Sequence, residues 1–137
     1  MTPEGKLTNF CLDLFNHMPD AYMQKRLAGM ARSGEPDLTG ILNKKRIEIE
    51  MKYEQNKPTK LQLLSLQRWN DLGAITGWAN SIIAFIKIFE KELNQDQILS
   101  IYNSLKNNKL NRTFKYQIQE SIDFLLDTRH DILRKYV

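Results

Sequence analysis

Two acids and a lysine, Asp37, Glu50 and Lys52, form a set suited to breaking a phosphodiester bond. That reaction needs a divalent cation to polarise the phosphate, an activated water, and relief of the charge that builds on the leaving oxygen. Mg²⁺ prefers octahedral oxygen ligands and keeps several waters, so two carboxylates and a backbone carbonyl suffice to hold it. Asp37 and Glu50 can supply the carboxylates and Met51 the carbonyl. The Lys52 ammonium, two residues beyond Glu50, can orient the attacking water or neutralise phosphate charge.

Convergence depends on the strands that carry these residues. Residues 37–42 read as one strand, Asn43-Lys44-Lys45 as a polar turn, and residues 46–52 as a second strand with strict alternation. Side chains alternate along a strand, so Ile47, Ile49 and Met51 share one face and Glu48, Glu50 and Lys52 the other. A hairpin places Asp37 beside Glu50. By itself this alternation equally describes the solvated side of an edge strand, with Glu48 as one more surface acid.

Around the hairpin the pattern is helical. Thr2-Pro3-Glu4 suits a helix start, and Leu7, Phe10, Cys11 and Leu14 stripe a helix over Pro3–Asn16. Residues 17–35 show no clear period, and 21–27 fit either a short helix or an extended arm. Thr59 caps a helix over 60–72 whose stripe is Leu61, Leu64 and Leu72 with Trp69 nearby, Ser65 being a polar break, and Gly73 stops it. Residues 74–79 read as a third strand. Asn80 or Ser81 then caps a helix carrying Ile82, Ile83, Phe85, Ile86 and Phe89. The resulting order is α-β-β-α-β-α, followed by amphipathic helices near 95–106 and 113–136.

With 137 residues, 42% apolar and 26% charged, the composition suits one soluble domain. No apolar run is long enough for a membrane span, and no signal-peptide pattern opens the chain, so the expected location is the cytoplasm. The single cysteine, Cys11, lies in an apolar stripe and reads as a buried thiol. Net charge is +4 and the pI about 9.2, compatible with a polyanionic partner. His17 and His130 stand apart from the acids and receive no role.

The string Gly34-Glu35-Pro36-Asp37-Leu38, then 46–52, Pro58-Thr59-Lys60-Leu61-Gln62 and Leu72-Gly73-Ala74 resembles the VRR-NUC branch of the PD-(D/E)XK nucleases over roughly residues 30–80. The resemblance implies an α/β, restriction-endonuclease-like core with a mixed sheet flanked by helices, Mg²⁺ or Mn²⁺ dependence, and DNA cleavage. Carried across, Asp37 and Glu50 are metal ligands, Lys52 is the catalytic lysine, Gln62 is the glutamine of the following helix that faces the site, and Glu4 matches an acid of the first helix. Residues 1–90 would form the nuclease core and 91–137 a helical C-terminal extension packed on that core or on a second copy. Lys57 and Lys60 are the favoured DNA contacts, because their loop adjoins Glu50 and a helix N-terminus favours phosphate; Arg32 is a further basic candidate.

The expectation is a metal-dependent DNA endonuclease, structure-specific in the manner of Holliday-junction cutters, and a homodimer through the stripe Phe114, Ile118, Ile122 and Leu125. The competing readings are a nucleic-acid-binding protein that does not cleave and a small structural partner in a replication or repair complex.

Overall fold

The computed structural model describes residues 1–27 and 34–137, so Arg32 lies outside the described residues. Helix α1 (Pro3–Asn16) starts at Thr2, whose hydroxyl accepts from the Gly5 amide. The chain then forms β1 (Ala21–Lys25), β2 (Leu38–Leu42), β3 (Lys45–Met51), α2 (Lys60–Asp71), β4 (Ile75–Ala79) and α3 (Ile82–Phe89), followed by α4 (Gln95–Asn107), α5 (Lys115–Thr128) and the short α6 (His130–Leu133). The aperiodic stretch after α1 therefore contains a strand, and the core order is α-β-β-β-α-β-α. Its pattern is faint because only Met23 of β1 is buried.

The four strands lie in the order β1-β2-β3-β4, antiparallel except for β3 and β4, which run parallel. The hairpin closes on Asn43 and Lys44, both at positive φ, the geometry whose twist matches paired strands, so β3 begins one residue before the predicted start. β1 approaches β2 so closely that a Cβ on Gly40 would lie 2.1 Å from the Tyr22 carbonyl oxygen. The parallel β3–β4 pair is joined through α2, which covers one face of the sheet. α2 ends at Gly73, held at φ 99°.

The other face is the apolar core. Ile47, Ile49 and Met51 pack with Leu38, Leu42, Cys11, Phe15, Phe85 and Phe89, and the last three aromatics meet edge to face. Burial pushes the Cys11 thiol pKa up, so it stays protonated and inert.

The long C-terminal helix of the sequence reading breaks at Arg129, where the Nε contacts Glu90 at 2.9 Å and a guanidinium nitrogen donates to the Glu90 carbonyl. Phe114, Ile118, Ile122 and Leu125 are buried within the same chain, α5 packing on α3 and α4. The stripe offered as a dimer surface is thus already covered. Leu125→Ala should cost about 2–5 kcal/mol, as expected for a fully buried leucine, read from denaturant unfolding; a loss below about 1 kcal/mol would place α5 outside the cooperative core.

The stripe assigned to α2 is also corrected. Leu61, Leu64 and Leu72 are exposed, and the inward face is Gln62, Ser65, Leu66 and Trp69 at i, i+3, i+4 and i+7. This helix lies on the charged face of β3, where Gln62, Ser65 and Trp69 bond carboxylates and Leu66 is the one leucine of the helix that is buried.

Candidate active site

β3 is interior to the sheet, and α2 lies on its charged face. Glu48 is fully buried and Glu50 is 2% exposed, which removes the edge-strand alternative. Asp37 and Glu50 lie one step beyond the Leu38–Ile49 cross-strand pair and therefore share a face. One Asp37 oxygen accepts the Met51 amide at 3.0 Å, fixing the carboxylate at the end of β3. Lys52 Nζ is 3.6 Å from Glu50 Oε2.

Gln62 is held from both ends of its side chain. Its Oε1 accepts the Thr59 amide at 2.9 Å, completing a capping box, while Nε2 donates to Glu50 Oε2 at 3.2 Å. The cap that begins α2 therefore also aims an amide at the site. Lys57 and Lys60 are exposed on the loop and first turn beside it.

Burial pushes the Glu50 carboxyl up to about 8, with further upward pressure from the hydrogen bond and negative charge of Asp37 and partial relief from Lys52. Its second oxygen, Oε1, is buried without a hydrogen-bond partner among the described residues. Two carboxyls forced together, one with an unsatisfied buried oxygen, are the donor set a divalent cation relieves. Among the described residues no three acidic, histidine or cysteine side chains cluster closely enough to hold a cation, so a centre here relies on two carboxylates, backbone and water. Glu4 is outside that pair, yet it lines a cavity of about 230 Å³ with Asp37, Thr8, Lys25 and Arg26.

This electrostatics has a pH signature. Between the ordinary value of 4.5 and about 8 the folded chain retains a proton on Glu50 that the unfolded chain has released, so metal-free stability falls as pH rises through that window. Thermal unfolding in EDTA should show the midpoint dropping from pH 5 to pH 8, with a flatter profile for Glu50→Gln; identical profiles would refute a proton held on the buried Glu50.

A second polar cluster adjoins the first and was not foreseen. Glu48 bonds Arg26 and Thr39, and Arg46 Nε approaches it at 3.1 Å. Glu35 accepts from the Trp69 indole and Arg68, each at 3.0 Å, and from Ser65 at 3.4 Å. Burial raises the Glu35 carboxyl, but these donors together with Arg26 hold it below the ordinary range. Alternation over 46–52 puts Arg46 on the face of Glu48, but nothing in the sequence joins Arg26 to Glu48 or Arg68 to Glu35.

A solved structure described as a "VRR_NUC domain" superposes with a TM-score of 0.58 at 28% sequence identity, covering 68% of this chain and all of that one. The chain is thus similar to a VRR-NUC domain in both fold and sequence. No family model and no curated protein matches the sequence. The VRR-NUC fold accounts for the mixed four-stranded sheet flanked by helices and makes this a nuclease-type fold. No described helix is long and apolar enough to cross a membrane.

Proposed function

We propose that the chain is a metal-dependent DNA endonuclease whose centre is Asp37, Glu50 and Lys52. The observation that carries this is the buried Glu50 carboxyl, pressed against Asp37, with one oxygen bonded by Gln62 and approached by Lys52 and the other unsatisfied. Asp37, Glu50 and the Met51 carbonyl would hold Mg²⁺ or Mn²⁺, with Glu4 near enough to the Asp37 cavity to act through water. When bound, the ion supplies Lewis-acid polarisation of the scissile phosphate.

The chain's own groups do the rest. Gln62 fixes the orientation of Glu50, so the carboxylate need not reorganise during the reaction. Lys52 sets a positive charge against the attacking water or the non-bridging phosphate oxygens. Lys57 and Lys60 bind flanking phosphates, a contribution that weakens with salt. The positive net charge supports a polyanionic substrate.

Incubation with linear, nicked, forked and four-way DNA, with and without Mg²⁺ or Mn²⁺, tests this directly. Cleavage that requires the ion is expected, and preference for four-way DNA would establish the structure-specific form. Binding without cleavage under every condition would sink the endonuclease reading in favour of a non-cleaving binder. The reading extends to a homodimer whose two sites meet paired strands; with the α5 stripe covered, one exposed apolar surface among the described residues is Leu61, Leu63, Leu64 and Leu72 of α2 and its C-terminal end. A monomer by light scattering at micromolar concentration would overturn that extension.

A further inference from the structure

We infer that Arg26, anchored by the buried Glu48, is a positioning residue that sets Asp37 against Glu50. Arg26 grips the residues around Asp37 from two sides. Its backbone amide donates to the Asp37 carbonyl at 2.7 Å, and its side-chain Nε donates to the Pro36 carbonyl at 3.0 Å. The far end of the same guanidinium bonds Glu48, two residues before Glu50 on β3. One planar group thus spans the two strands that carry the candidate metal ligands, and its fork fixes distance and angle together.

The brace is closed on its other sides. Arg26 also lies 3.9 Å from Glu35, just ahead of Pro36, and Glu35 is bonded by Ser65, Arg68 and Trp69 of α2. Arg46 and Arg26 lie over the Trp69 ring at 4.7 and 5.9 Å. α2 in turn sends Gln62 to Glu50. The route therefore returns from Asp37 through Arg26, Glu48 and α2 to Glu50, with β3 as its rigid side. Glu48 needs a basic partner in any case, since an unpaired carboxylate at full burial is costly; the specific feature is that the Nε of that partner goes to the Pro36 carbonyl.

The inference rests on the nuclease reading, and the test separates the two. In Arg26→Lys the charge remains but the fork is lost. Mn²⁺ affinity by calorimetric titration should weaken about 10–100-fold, the usual effect of removing a group that orients a metal ligand. The kcat should fall by a comparable factor with KM for DNA little changed, because phosphate contacts are untouched. Since loss of Arg26 alone could unfold the chain around Glu48, the pair Arg26→Met with Glu48→Met provides the second variant, replacing a buried ion pair by apolar groups of similar size. It should stay folded, with a thermal midpoint near wild type, and still show the weakened Mn²⁺ binding and lower kcat. Wild-type Mn²⁺ affinity and kcat in the folded double variant would overturn the positioning role alone. A wild-type protein that neither binds Mn²⁺ nor cleaves would overturn the nuclease reading and this inference with it.

Discussion

Glu50→Gln or Asp37→Asn should reduce DNA cleavage by at least about 10³-fold, since under the proposed mechanism each change strips a charged ligand from the metal centre that would polarise the phosphate. The fold should survive. Asp37 is exposed, and Glu50 is a buried acid whose carboxyl prefers to stay neutral near neutral pH, so an amide there occupies the same space without the charge. Glu50→Gln should therefore match or exceed the wild-type thermal midpoint at pH 8 in EDTA while losing Mn²⁺ binding in calorimetric titration. The amide oxygen introduced by that substitution would still accept from Gln62 Nε2, so the local packing is conserved and the measured loss belongs to the charge. A variant that cuts at the wild-type rate with an unchanged metal requirement would remove its carboxylate from the mechanism.

Lys52→Ala should lower the cleavage rate by roughly 10²-fold, the scale set by loss of one charge-stabilising donor, while Mn²⁺ still binds. Lys52 is 18% exposed at its side chain and 3.6 Å from Glu50, close enough to favour the ionised carboxylate. Its removal withdraws that relief, so the pH at which Mn²⁺ displaces the Glu50 proton should move upward. Titrations at pH 6.5 and 8 separate the two contributions: an affinity loss confined to the lower pH is the electrostatic effect on Glu50, and a rate loss at saturating Mn²⁺ is the effect on the reaction. Joint loss of folding and metal binding would mean that Lys52 is a structural residue.

The placement of the candidate residues on one face was legible because alternation along a strand is a local property. Glu48, Glu50 and Lys52 had to share a face once 46–52 was extended, and a short polar turn at Asn43-Lys44-Lys45 had to bring Asp37 back beside Glu50, although the turn itself is two residues, Asn43 and Lys44. The Thr59 cap was equally local, and the same spacing put Gln62 on the first turn of α2. What local pattern could not decide was which surface each face would meet. Leu61, Leu64 and Leu72 have helical spacing, yet α2 turns Gln62, Ser65 and Trp69 inward because the sheet beneath it presents carboxylates and arginines. The stripe on α5 has the same kind of spacing and is buried, because α3 and α4 offer it an apolar surface. β1 was obscured by having only Met23 buried, and Arg26 just after it reaches Glu48 across 22 positions of sequence. Amphipathicity specifies that a face wants a partner; only the packed sheet determines whether that partner is apolar core, a buried ion pair or solvent.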